Sequence, residues 1–133
     1  MIKIDHIALY TNQLELIREF YCTYFDAKSN EKYVNPRKGF ESYFLTFSTG
    51  ARLEIMQKDA VSISALQPGE EANGWTHLAF SVETPAVVDS LTDRLRMDGY
   101  TVAGEPRTTG DGYYESVVLD PDGNRLEIVA DPT

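Results

Sequence analysis

The chain has 133 residues, 42% of them hydrophobic and 11% aromatic, with 21 acidic against 12 basic side chains and a net charge of −9. That length suits one ordinary domain, burying about two thirds of its unfolded surface, and the acidic excess argues against tracking a nucleic-acid backbone, which needs a basic stripe. No apolar run approaches the roughly 20 residues of a spanning helix, and Cys22, the single cysteine, excludes an internal disulfide.

Residues 1–10 hold Lys3 and Asp5 inside a strand-like alternation, without the charged head and apolar stretch of a secretory signal, so a cytoplasmic protein is expected. The run KIDHIALY alternates with period two and reads as a strand. In NQLELIREFYCTYF, Leu14, Ile17, Tyr21 and Tyr24 recur at helical spacing, with Asn12 as the expected cap and Cys22 as a buried, inert thiol. SYFLTF and ARLEIM follow as strands joined by the turn residues of STG, with a weaker strand near KSNEKYV.

The order then repeats. WTHLAFSV reads as a strand and TPAVVDSLTDRLRMDG as a helix, with Thr84 capping, Pro85 in the first turn and Gly99 at the end. YTVAGE, YESVVL and NRLEIV follow as strands, the last two joined by the tight-turn sequence DPDG. The halves echo each other: RLEI occurs at Arg52–Ile55 and Arg125–Ile128, and HIALYT at His6 is matched by HLAFSV at His77. The expected organisation is a single domain over residues 1–133, with module one at 1–57, a linker at 58–73 and module two at 74–133.

Alternation places the polar residues. Leu53 and Ile55 oppose Glu54, Leu126 and Ile128 oppose Glu127, and Leu78 and Phe80 oppose His77, while His6 opposes Ile7 and Leu9. Each helix has one apolar stripe to bury, so helices cover the aliphatic faces and leave His6, Glu54, His77 and Glu127 on the other. Small neighbours Ala8, Ala79 and Ser81 leave room beside them. Two imidazoles and two carboxylates on one face repel or shift one another unless a cation is bound. Two nitrogens and two carboxylate oxygens suit a divalent Ni, Zn, Co, Mn or Fe ion with positions left for substrate. For any one of these residues, a plain surface role is the alternative.

The motifs DHIALYT, FYCTYFDAK, ARLEIM, THLAFSV and VVLDPDGNRLEIV together resemble the vicinal oxygen chelate superfamily, which includes glyoxalase I and the bleomycin-resistance, fosfomycin-resistance, methylmalonyl-CoA epimerase and extradiol dioxygenase branches. The resemblance covers nearly the whole chain. It implies an α+β fold in which two βαβββ modules form an incomplete barrel around a divalent metal (Ni, Zn, Co or Mn), held by His6 and Glu54 from one module and His77 and Glu127 from the other. It further implies a homodimer and a glyoxalase I-like lyase that turns the hemithioacetal of a 2-oxoaldehyde and a thiol into a 2-hydroxyacyl thioester. Glu127 would be the base, with Glu54 opposite. The alternatives are a metal-free antibiotic-binding protein, a metal-dependent thiol transferase and an epimerase. The chain departs from the glyoxalase pattern where that family places an Arg and an Asn for glutathione; here stand Tyr10 and Gln57-Lys58. Tyr10, Tyr33, Phe40, Trp75, Tyr113 and Tyr114 are candidates for the mouth of the site, and the TTGDGYYES loop for a flap.

Overall fold

The computed structural model describes residues 1–132. The elements run β1 (His6–Tyr10), α1 (Leu14–Tyr24), β2 (Lys28–Ser29), β3 (Tyr33–Asn35), β4 (Phe40–Thr46) and β5 (Arg52–Lys58). They continue as β6 (His77–Val82), α2 (Pro85–Met97), β7 (Val102–Thr108), β8 (Tyr114–Leu119) and β9 (Arg125–Ala130). The chain divides into two compact units, one ending at Ser64 and one starting at Ala65.

The two units carry the same topology in separate open sheets. In the first the strand order is β1-β5-β4-β2, with β3 also pairing with β4; in the second it is β6-β9-β8-β7. The outer pairs β1/β5 and β6/β9 are parallel and the β4/β5 and β8/β9 pairs antiparallel, so both sheets are mixed. This is the α+β fold of two βαβββ modules. The weak strand near KSNEKYV exists as two short pieces, β2 and β3, where the second module has the continuous β7.

Helix α1 buries Leu14, Ile17, Phe20 and Tyr21. Tyr24 lies at the margin of this stripe and Cys22 is half-buried on its flank, less enclosed than its apolar neighbours suggest. Asn12 does not cap this helix. The cap position is Gln13, the Thr11 hydroxyl accepts the Gln13 N–H at 2.9 Å, and Gln57 Oε1 on β5 accepts the Leu14 N–H at 3.4 Å. A side chain from the sheet thus satisfies a donor that the local sequence leaves open. At the other end Asp26 adopts φ 55°, and the Ala27 N–H reaches back to the Tyr21 carbonyl. Aspartate tolerates this left-handed geometry where glycine is commoner, so the chain turns without Gly.

Helix α2 forms as its sequence dictates. The Thr84 hydroxyl accepts the Val87 N–H at 3.3 Å, Pro85 opens the first turn, and Gly99 at φ 93° closes the helix. Its buried face is Val88, Thr92 and Leu95.

Each core is the alternating face of a sheet against its helix. Leu45, Leu53 and Ile55 meet the α1 stripe, and Val118, Leu126, Ile128 and Ala130 meet α2; all of these are 2% exposed or less. Burying each large aliphatic side chain contributes about 1.5–3 kcal/mol before entropy is subtracted. In the second core Thr92 Oγ1 and Ser116 Oγ hydrogen-bond each other at 2.7 Å, and Thr92 Oγ1 also donates to the Val88 carbonyl, so a buried polar pair is satisfied internally.

Before β9, Asp120 organises the DPDG turn by accepting the N–H groups of Asp122 and Asn124 at 2.9 Å each. Gly69, from the segment preceding β6, docks on this turn through its N–H to the Gly123 carbonyl. Arg125 Nη1 donates to the Gly69 carbonyl at 3.2 Å and its Nε lies 3.5 Å from Glu71, so the latter part of the expected linker is tied to the second sheet.

Candidate metal centre

The four residues singled out by alternation lie on the faces turned away from the helices. Leu53 and Ile55 are 2% and 0% exposed, whereas the side chain of Glu54 between them retains 18% exposure and that of His6 38%. In the second sheet Leu126 and Ile128 are buried, with Glu127 at 23% and His77 at 37%. Register explains the pairing. His6 stands opposite Arg52 and Ala8 opposite Glu54, so His6 and Glu54 share a face two residues out of step. His77, Arg125, Ala79 and Glu127 repeat that arrangement.

The pairs close to donor distance. His6 Nε2 lies 3.6 Å from Glu54 Oε1, and His77 Nε2 lies 3.1 Å from Glu127 Oε2. In both rings the other nitrogen is occupied by the side chain immediately before it: His6 Nδ1 by Asp5 Oδ2 at 2.7 Å, His77 Nδ1 by Thr76 Oγ1 at 2.9 Å. Each imidazole therefore presents Nε2 beside a carboxylate oxygen. Two donors bound to one ion at about 2.0–2.2 Å stand roughly 3–3.5 Å apart, so the His77–Glu127 pair fits two adjacent coordination positions and the His6–Glu54 pair, at 3.6 Å, stands just outside that range. The structure pairs His6 with Glu54 in the first unit and His77 with Glu127 in the second. Among the described residues no group of three or more His, Cys, Asp and Glu side chains is placed to hold an ion.

Three neighbours of these pairs were not foreseen from the sequence. Asp5 bridges His6 and Arg52, whose Nη2 donates to the same Oδ2 at 2.7 Å; these hydrogen bonds, that of His6 first, hold its carboxyl below the usual carboxylate range. Phe44 places its ring edge-on to His6 at 5.4 Å and beneath the Arg52 guanidinium at 4.3 Å. It is opposite Glu54 in the β4/β5 register, so alternation in SYFLTF already contained its position. Glu115 shares the face of Glu127 on the next strand; burial first, then the charge of Glu127 and a hydrogen bond to it, push its carboxyl up. Arg107, opposite Glu115 on β7, pulls it the other way.

Other candidates fall elsewhere. Tyr114 donates to Asp89 on α2 at 2.6 Å, which puts it on the helix side of its sheet and away from Glu127. The loop expected as a flap forms a hydrogen-bonded turn: the Thr109 N–H donates to the Tyr113 carbonyl at 2.7 Å, and the Tyr113 N–H donates to the Thr109 hydroxyl. Gln57, at the position expected to meet a thiol carboxylate, serves helix α1 instead. Tyr10 is 48% exposed, and Tyr33 and Phe40 pack edge to face at 6.1 Å. The two arginines of the repeated RLEI have separate partners, Arg52 pairing with Asp5 and Arg125 with Gly69 and Glu71.

The profile of the Glyoxalase/Bleomycin resistance protein/Dioxygenase superfamily matches residues 3–128. The protein YqjT of Bacillus subtilis (strain 168) is 29% identical over 136 residues, covering 96% of this chain and 98% of its own. The crystal structure of a glyoxylase/bleomycin resistance protein/dioxygenase domain from Frankia sp. EAN1pec has a TM-score of 0.80 at 18% identity, covering 98% of both chains. Glyoxalase I from Zea mays has a TM-score of 0.78 at 20% identity over 98% of this chain, which spans 45% of the maize enzyme. No helix among the described residues is long and apolar enough to cross a membrane. With the profile spanning both modules and both His–Glu pairs, the chain belongs to the Glyoxalase/Bleomycin resistance protein/Dioxygenase superfamily.

Proposed function

We propose that the protein is a metal-dependent, glyoxalase I-like lyase acting on the hemithioacetal of a 2-oxoaldehyde and a small thiol. The observation that carries this reading is the duplicated pair, an imidazole Nε2 set 3.1 or 3.6 Å from a carboxylate oxygen in each module. His6, Glu54, His77 and Glu127 would hold one divalent ion, Ni, Zn, Co or Mn, with the two pairs supplied by one chain or by two chains of a homodimer. The charges balance, two carboxylates against a dication.

When bound, the ion would supply Lewis acidity toward the two adjacent oxygens of the substrate and make the neighbouring C–H acidic. Glu127, beside His77, takes that proton and returns it to the adjacent carbon, while the hydroxyl proton passes to the neighbouring carbonyl oxygen, converting the hemithioacetal to a 2-hydroxyacyl thioester with no net gain or loss of atoms. A placed base of this kind contributes about 10²–10⁴-fold. Glu54 faces the substrate from the other pair.

The test combines elemental analysis of the purified protein with an isomerase assay on methylglyoxal and a panel of thiols. Thioester formation that stops on chelation and returns with one of the four metals is the expected result. A protein that copurifies with no divalent ion, turns over no thiol adduct and binds an aromatic drug instead belongs with the sequestering branch.

A further inference from the structure

The two His–Glu pairs are copies in register yet differ in what holds the imidazole. At neutral pH Asp5 is a carboxylate, which can only accept, so the 2.7 Å contact to His6 Nδ1 requires the proton on that nitrogen. In the neutral ring the lone pair of His6 is then on Nε2, facing Glu54. Thr76, one residue before His77, is a hydroxyl that can donate or accept, so its 2.9 Å contact to Nδ1 leaves either tautomer open.

The bracing differs too. The Arg52 Nη2 donates to the oxygen of Asp5 that His6 uses, the Arg52 N–H donates to the Asp5 carbonyl at 3.1 Å, and the guanidinium lies over Phe44, whose ring meets His6 edge-on. Arg125 has the same place in the second sheet, opposite His77, but is drawn to Gly69 and Glu71. The arginine recurs at the same place in both modules, and the two have different partners.

We propose that Asp5, braced by Arg52, is a positioning residue that fixes His6 as the Nδ1–H tautomer, making the first module the preformed half of the metal site and leaving His77 as the adjustable half. The metal part of this inference rests on the function proposed above. The tautomer part does not. A carboxylate that orients a metal-binding histidine through its second nitrogen typically changes metal affinity by about 10- to 100-fold when removed.

The chain contains only two histidines, so long-range 15N–1H imidazole spectra of the metal-free, full-length protein at alkaline pH are assigned with a single His77→Ala control. His6 should appear as one Nδ1–H tautomer in the wild type. Asp5→Ala should convert it to a mixture richer in Nε2–H, and Asp5→Asn, whose amide oxygen still accepts, should restore it; Thr76→Val should alter only His77. In a chelator competition with zinc or nickel, Asp5→Ala should lower affinity by about 10- to 100-fold and Thr76→Val by distinctly less. A wild-type His6 found as Nε2–H, or an Asp5→Ala spectrum unchanged from wild type, overturns the proposal, as does an equal loss of affinity in the two variants. Wild-type protein that holds neither metal removes the proposed function, and the tautomer spectra alone then decide the role of Asp5.

Discussion

Glu115 on β8 and Glu127 on β9 face the same side of the second sheet, and burial together with the charge of Glu127 raises the Glu115 carboxyl above its ordinary value of 4.5. A carboxyl raised in the folded state favours its protonated form, so its stabilising contribution is full below the unfolded value and is lost as pH rises through the folded one. Glu115→Gln should therefore gain stability relative to wild type as pH rises past 4.5, because Gln stays neutral. Urea midpoints of the two proteins across that rise check this; a constant difference between them rules the coupling out.

The proposed base and the proposed ligands separate by substitution. Glu127→Gln keeps an oxygen donor but cannot take a proton, so turnover should fall by about 10²–10⁴-fold while much of the metal is retained. His77→Ala should lose metal as well as turnover. Metal content measured beside the rate distinguishes the two, and full activity in Glu127→Gln removes that residue from the mechanism.

Gly123 has φ 85°, and a Cβ there would lie 2.7 Å from Cα and Cβ of Pro68. Both the left-handed backbone and the contact oppose any side chain, so Gly123→Ala should cost more than about 1 kcal/mol. It should also release the Gly69–Gly123 link and speed proteolysis within residues 65–71. Protection unchanged from wild type would show that this docking does not depend on the glycine.

Thr92→Val is close in volume but removes one partner of the buried Thr92–Ser116 pair. The Ser116 hydroxyl, on a residue 1% exposed, is left without its partner, for an expected loss of about 1–3 kcal/mol in denaturant unfolding. Thr92→Val combined with Ser116→Ala should recover part of it, since both polar groups are then gone.

Much of the fold was legible because its signals are local. Residue patterning located seven of the nine described strands, β1 and β4 to β9, and the buried faces of β5 and β9, and Thr84, Pro85 and Gly99 bounded α2 where the structure bounds it. The β2/β3 region was read as one weak strand because its pairing comes from β4, which the local run does not encode. Asn12 does not cap for a similar reason: Gln57, 43 residues from Leu14, supplies the acceptor.

By itself the sequence determined which residues leave the apolar faces, since a strand's alternation is a property of the backbone and each helix has one stripe to bury. That was enough to single out His6, Glu54, His77 and Glu127. Only the tertiary structure decided what surrounds them, that Asp5 rather than Thr holds the first imidazole, that Glu115 stands beside Glu127, and that the two RLEI arginines have unlike partners. Such contacts join side chains on different strands or against a docked segment, and their distances are set by register and packing, which no repeat within the sequence expresses.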